Sequence, residues 1–324
     1  MAVAEGTPAL EVIELTKTFG RRKPVTAVAG LSFAMARGEI LGLLGPNGAG
    51  KTTTIQMLLS TLTPTSGRIL YDGRDLARHR SAILAKVGYA SAYSKLPSLL
   101  SVEENLDVFA RLYDMPAGDR KARTRVLLDR FGMWDNRKRT MSALSAGQTT
   151  RVTLCKAFLP RPEIVLLDEP TASLDPDVAL EVRDFVRQQC EEDGVSVLHT
   201  SHNMDEVAEI CHRVVFLDRG RIAAEGRPSE LAATVAWAKV RLKVDRGLDD
   251  VARIAAAREL DTTQEEGGVI EVEIDEPDVA GFLAALASAD VRYTEIAIRK
   301  PTLEDYFLHI ARRRGEPDPA PTAP

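Results

Sequence analysis

No apolar run in this 324-residue sequence approaches the roughly 18–20 residues that a membrane-spanning helix needs. The most apolar stretches, LGLLG and IVLLD, are the length of a strand. The chain is therefore expected not to cross a bilayer itself, and any membrane role must come through a partner. The opening residues, MAVAEGTPALEVIEL, lack a basic segment followed by an apolar one, so no secretory signal is expected. Cysteine is scarce: Cys155, Cys190 and Cys211 form no CxxC pair and leave an odd one over. That excludes a disulfide framework and points to a reducing compartment with buried thiols; neither they nor the histidines have metal-ligand spacing. Basic excess is missing too. With 42 Lys and Arg against 47 Asp and Glu, the formal charge is −5, which does not favour nucleic acid or anionic lipid as a partner. These absences describe a soluble, cytoplasmic protein. What is present is a hydrophobic content of 44%, on a chain long enough for one large α/β domain and a smaller one.

Residues 9–35 read as strands, and EILGLL (39–44) is a compact apolar strand that ends in glycine, with TTTIQMLLSTL following as a helix. Residues 94–143 change character. Ser101 and Glu104 form a capping box, and Val102, Leu106, Phe109 and Tyr113 make one apolar helical face, so a helical insertion is expected. The α/β pattern resumes with IVLLD (164–168), a helix from Pro176, VSVLHTS (195–201) and VVFLD (214–218). Composition shifts near Arg227–Thr234, and a second unit is expected from about residue 236 to 312. Its order is β-α-β-β-α-β with a hairpin at Gly267–Gly268, which suits a ferredoxin-like split unit, and LEDYFLHIARR adds a last helix. Val240, Leu242, Val244, Ile270, Val272, Ile274, Ile296 and Ile298 fall on its strands. The Pro-rich close, 313–324, reads as disordered.

Three segments carry chemistry. Gly45-Pro46-Asn47-Gly48-Ala49-Gly50-Lys51-Thr52 fits GxxxxGK followed by Ser or Thr, and Thr53 continues it. In such a loop backbone N–H groups wrap phosphates, the lysine reaches the β and γ oxygens, and the hydroxyl of Thr52 sits on Mg²⁺. Outside its strand–loop–helix context the same string would be only a Gly-rich turn. IVLLDEP places Asp168 to meet Mg²⁺ through its water shell and Glu169 to polarise the attacking water; the alternative is a helix-start acid or a structural ion pair. His202, in HTSHNMDE after the next apolar strand, is placed to orient that water and sense the γ-phosphate, whereas His199 reads as strand filler. Phe19 offers a ring for adenine, or packs the edge of the first sheet.

A further turn, LSAGQ at 144–148, has the form of a second anion-binding element at a helix start, or of an ordinary Ser-capped helix. Taken together, GPNGAGKTT, LSAGQ, IVLLDEP, the SLD of Ser173-Leu174-Asp175 and the TSH of 200–202 occur in the order found in ATP-binding-cassette (ABC) ATPases, and residues 9–230 resemble that family. The resemblance implies a P-loop α/β fold with a helical subdomain (about 94–143) and an antiparallel β subdomain. It implies ATP and Mg²⁺ as cofactors, and a head-to-tail homodimer in which one copy's signature turn covers ATP held by the other's P-loop. Ser145, Gly147 and Gln148, with Asp175, would then serve a neighbour's nucleotide, which gives a one-loop chain a use for a second phosphate-binding turn. Ala146 replaces the signature's second glycine.

A narrower resemblance links PTLEDYFLHIARR, after a small α/β unit, to the ATPase subunits of two-component bacterial exporters. It implies a separate integral-membrane permease as partner, no nucleic acid, a place on the inner face of the membrane, and export of a drug-like, lipid or glycan substrate. The segment 236–312 would regulate or stabilise the dimer. The helical insertion around Leu96–Tyr113 would push on the permease, although most of its apolar residues belong in its own small core. One departure stands out. Where the family has a glutamine that touches Mg²⁺ and relays state to the permease, this chain has Ala92 in Gly88-Tyr89-Ala90-Ser91-Ala92. Water, Ser91 or Tyr93 could fill the place, so coupling is affected more than chemistry. Two other classes compete: a soluble ABC ATPase acting on ribosomes or as an assembly scaffold, and a nucleotide-binding regulator without turnover. The single cassette and the absence of a basic arm speak against the first. The intact Lys51, Asp168, Glu169 and His202 speak against the second.

Overall fold

Three five-residue strands with every residue buried organise the larger part of the molecule: β3 (Ile40–Leu44), β7 (Ile164–Asp168) and β8 (Ser196–Thr200). Strands covered on both faces show continuous apolar runs rather than alternation, which is why EILGLL and IVLLD were conspicuous in the sequence. The computed structural model describes residues 6–20, 22–92, 94–172, 174–234 and 237–307. The expected roles of Tyr93 and Ser173, residues 308–312 of the last helix, and the 313–324 tail lie outside the described residues.

The chain divides into two compact units at the Arg227–Pro228 junction. In the first, β1 (Leu10–Phe19), β2 (Val25–Met35), β4 (Ser66–Tyr71) and β5 (Arg74–Asp75) form an antiparallel sheet in the order β2-β1-β4-β5. A six-stranded sheet runs β10-β9-β3-β8-β7-β6, with β6 at Val87–Ser91, β9 at Arg213–Asp218 and β10 at Arg221–Gly226. Its five strands from β9 to β6 are parallel, and only β10 runs against its neighbour. Because β3, β8 and β7 are adjacent and parallel, the loops that follow them leave from the same edge, where ligands of open α/β sheets bind.

Helices α1 (Lys51–Leu58), α2 (Leu76–Leu84), α6 (Pro176–Glu191) and α7 (Met204–Ile210) accompany these strands. Between β6 and β7 lie α3 (Val102–Leu112), α4 (Ala117–Arg130) and α5 (Ala146–Phe158), with two short 3-10 turns. The capping box read from the sequence is present: Ser101 Oγ accepts from the Glu104 N–H, and Glu104 accepts from the Ser101 N–H at 2.7 Å. Val102 and Leu106 are fully buried, and Phe109 and Tyr113 partly so. Phe185 of α6 meets Phe131 and Phe158 edge-on, at 4.8 Å between ring centres in each case. All three cysteines are free thiols and buried. No helix among the described residues is long and apolar enough to cross a membrane.

The second unit begins with α8 (Pro228–Ala233) and continues β11 (Trp237–Arg246), α9 (Leu248–Ala256), β12 (Thr262–Glu265), β13 (Val269–Asp275), α10 (Val279–Ser288) and β14 (Arg292–Arg299). Its antiparallel sheet has the order β12-β13-β11-β14. Glu266, Gly267 and Gly268 make the three-residue turn between β12 and β13, and both glycines take φ near +80°, a region that glycine enters without a Cβ penalty. Val240, Leu242, Val244, Ile270, Val272 and Ile274 form its core with Val251 and Phe282 of the helices. Ile296 and Ile298 do not join them. They lie on β14 at 42% and 54% exposure.

Candidate nucleotide-binding site

β3 ends at Gly45, whose φ of +142° and close approach to the Leu217 carbonyl, 2.2 Å from where a Cβ would stand, admit only glycine. The loop then wraps to Gly50 and opens α1 at Lys51. No side chain caps this helix start and its first turn holds no acidic residue, so its N–H groups face an open cavity rather than a neighbour. That cavity, about 300 Å³, is lined by Ala27, the loop from Pro46 to Thr53, Asp168 and Glu169. Lys51 Nζ folds back onto the Gly45 and Pro46 carbonyls at 2.5 and 3.3 Å. Burial lowers its pKa, while Glu169 and Asp168 pull it upward. An ammonium held by loop carbonyls beside uncapped N–H groups and two carboxylates fits a polyphosphate with a divalent cation.

Asp168 ends β7 and is buried. Thr200 Oγ1 donates to it at 2.8 Å and Ser91 Oγ at 3.4 Å. Burial raises its pKa, and the Thr200 hydrogen bond works against that shift. Ser91 is thus a support of Asp168, paired with it across β6 and β7. Thr52 is exposed at the cavity, a second hard oxygen near Asp168.

Glu169 stands in the left-handed region at φ +54°, an unfavourable conformation for a glutamate. Its N–H donates to both the backbone oxygen and the hydroxyl of Thr200, each at 3.1 Å. Its carboxylate accepts from His202 Nδ1 at 2.6 Å. The strand β8 and its exit loop therefore hold Glu169 in place. A second tie lies behind this pair. Glu206, only 4% exposed, accepts from Thr171 Oγ1 on both oxygens (2.9 and 2.8 Å) and from Ser201 Oγ at 3.0 Å, with His199 Nε2 at 3.5 Å. His199 is buried in β8 as strand filler would be, yet it has an ionic neighbour. Burial alone would raise the Glu206 pKa; its bonds to His199, Thr171 and Ser201 bring it below the ordinary carboxylate value. Glu206 was visible as the last letter of HTSHNMDE, but nothing in a linear string shows that it meets Thr171.

The other expected site residues lie elsewhere. Ser145 caps α5, accepting from the Gln148 N–H while Gln148 Oε1 accepts from the Ser145 N–H, both at 3.2 Å. Ser145, Gly147, Gln148 and Asp175 do not line the cavity of their own chain. Asp175 precedes α6 without capping it. Phe19 is 44% exposed at the end of β1, with Lys17 Nζ 5.2 Å from its ring centre, and is also off the cavity. Sequence reasoning missed Ala27, which arrives from β2, as well as Thr200 and Thr171.

The family model for the ABC transporter matches residues 28–172. Over 309 residues the chain is 33% identical to the daunorubicin resistance ATP-binding protein DrrA3 of Streptomyces coeruleorubidus, covering 93% of this chain and 95% of the relative. It is 36% identical over 307 residues to the Nod factor export ATP-binding protein I of Paraburkholderia xenovorans (strain LB400), covering 94% and 97%. A solved ATP-binding subunit of an ABC transporter aligns with a TM-score of 0.65 at 26% identity, over 70% of this chain and 92% of that one. The chain belongs to the ABC transporter family. It is the ATP-binding, ATP-hydrolysing subunit that powers a transporter of that family.

Proposed function

We propose that this subunit closes around ATP as a head-to-tail homodimer and drives export through a separate integral-membrane permease, docked on the inner face of the cell membrane. The observation that carries the reading is the pairing of Glu169 with His202 at 2.6 Å beside the Lys51 loop. Lys51 and the N–H groups of residues 48–53 bind the phosphates. Thr52 and Asp168 would hold Mg²⁺, which supplies charge neutralisation of the β and γ oxygens when bound. Glu169 accepts the proton of the attacking water, and His202 orients Glu169 and contacts the γ-phosphate. Phe19 stacks on adenine. Because Ser145, Gly147, Gln148 and Asp175 stand away from their own cavity, they are assigned to the neighbour's nucleotide.

Export is favoured over a ribosome-acting role because the two relatives are named for daunorubicin resistance and for Nod factor export; the cargo proposed is a drug-like, lipid or glycan molecule. A groove of about 610 Å³ lined by Ala92, Lys95, Leu96, Met141 and Leu144 is assigned to the permease. Residues 9–230 form the ATPase domain, and 236–312 a unit that stabilises or regulates the dimer. The test is Glu169→Gln, which should trap an ATP-bound dimer on sizing chromatography with Mg-ATP. Adding Ser145→Arg should abolish the trapped dimer while leaving nucleotide binding to the monomer intact. A Glu169→Gln protein that stays monomeric even with its permease refutes the reading.

A further inference from the structure

β14 is the edge strand of the second unit's sheet, and all eight of its residues are exposed. Ile298 and Ile296 pair with Val240 and Leu242 of β11, so they lie on the face that α9 and α10 cover elsewhere. The helices stop short of them. An edge strand with apolar side chains and a free row of backbone groups is a template for another strand.

We propose that β14 pairs antiparallel with β14 of a second copy of this chain, about a two-fold axis at Ala297, without nucleotide. This deepens the dimer-stabilising role proposed above for the C-terminal unit and rests on that reading. The sequence of the strand selects both the occupant and the register. Centred on Ala297, Ile296 faces Ile298 of the second copy twice, continuing the apolar face of the sheet. On the other face Glu295 meets Arg299 of the second copy twice, with the small Ala297 opposite itself. Within its own chain Arg299 pairs with Lys239, a like charge, so a second copy's Glu295 supplies the opposite charge. Centring on Ile296 would place Glu295 opposite Ala297, and centring on Glu295 would set two carboxylates against each other. Charges on an edge ordinarily repel other strands. Here their order makes the strand complementary to itself.

The test uses the full chain without nucleotide. Sedimentation should show a concentration-dependent dimer. Ala297→Cys should form a disulfide-linked dimer on mild oxidation, because opposed residues in such a pair have Cα atoms about 4.5–5.5 Å apart. Tyr293→Cys should not, since that register leaves the two copies' residues about 26 Å apart. The native thiols are buried and do not compete. Glu295→Arg should weaken the dimer about tenfold, and adding Arg299→Glu should restore it. A nucleotide-free monomer at all concentrations, equal cross-linking at 293 and 297, or no rescue by the double swap overturns the proposal; a monomer would assign the strand to the chain's own terminal residues or to the permease. Trapping by ATP in a Glu169→Gln/Glu295→Arg chain separates the two readings. Its persistence shows that the nucleotide-bridged dimer stands even if β14 pairing fails.

Discussion

Replacing Glu206 should slow hydrolysis without weakening ATP binding. Glu206→Ala removes two hydroxyl-to-carboxylate hydrogen bonds, from Thr171 and Ser201, and leaves His199 without its neighbour in a site closed to solvent. Hydrogen bonds to a charged group are worth about 1.5–3 kcal/mol each. Relief from burying a carboxylate offsets part of that loss, so a net destabilisation of about 2–4 kcal/mol is expected. Glu206→Gln keeps an acceptor for the hydroxyls and should cost about 1 kcal/mol. The catalytic effect has a separate origin. Thr171 lies two residues beyond Glu169 and Ser201 one before His202, so losing the clamp lets the Glu169–His202 pair drift. A fall in kcat of about tenfold, near 1.4 kcal/mol, is expected for Glu206→Ala, with KM for ATP within about twofold because Lys51 and its loop are untouched. Stability should also change its pH dependence. The folded pKa of Glu206 is depressed, so its contribution is present above the unfolded carboxylate value and is lost as pH falls through the folded one. Glu206→Gln should therefore flatten the acid limb of stability. Phosphate release measured well below the melting temperature, beside a thermal melt, separates the effects. A variant with a lowered Tm and an unchanged kcat would show that Glu206 is structural only.

Three further outcomes are expected. Ala92→Gln should change cargo stimulation of ATPase activity in the reconstituted complex more than the basal rate; a large rise in basal rate with stimulation unchanged would assign position 92 to chemistry. Lys156, on α5 between the rings of Tyr89 and Phe109, has its pKa lowered by burial to about 8. Between that value and the unfolded 10.5 the unfolded chain binds more protons, so stability rises with pH there. Lys156→Met should accordingly stabilise the protein at pH 7 by at most about 3 kcal/mol, with the gain shrinking as pH rises above about 8 and vanishing only above the unfolded value of 10.5 in denaturant titrations. Removing residues 236–324 should leave ATP binding intact and shorten the dimer's lifetime. Loss of nucleotide binding in a folded truncation would refute the assignment of the ATPase domain.

What was legible in the sequence is what a short window can hold. The all-buried strands announced themselves as apolar runs, the Lys51 loop as a glycine pattern with a positive-φ requirement, and Ser101–Glu104 as a capping box. Val240, Leu242 and Val244 alternate along β11 and do face the second core. The same alternation continues in β14, where Ile296 and Ile298 stand on the strand as expected and yet are exposed. Periodicity fixes which residues share a face, but not how far a helix extends across that face. Ser91 is the complementary case. Read along the chain it was an alternative ligand near a missing glutamine; across the sheet it faces Asp168 and bonds to it. Pairing across strands separated by 77 residues has no signature in either segment.

The strained backbone of Glu169 explains why so many of these cross-strand ties converge on one loop. A left-handed glutamate persists only where its surroundings over-determine it. Here the Thr200 carbonyl and hydroxyl take its N–H, His202 takes its carboxylate, and Glu206 binds the loop again at Thr171. Every one of those partners sits on β8 or the segment after it, and Thr200 also carries Asp168. One strand therefore holds the carboxylate assigned to the metal and the one assigned to the water in fixed relation, while Lys51 approaches from the adjacent β3. A displacement of the segment after β8 cannot leave Glu169 where it is.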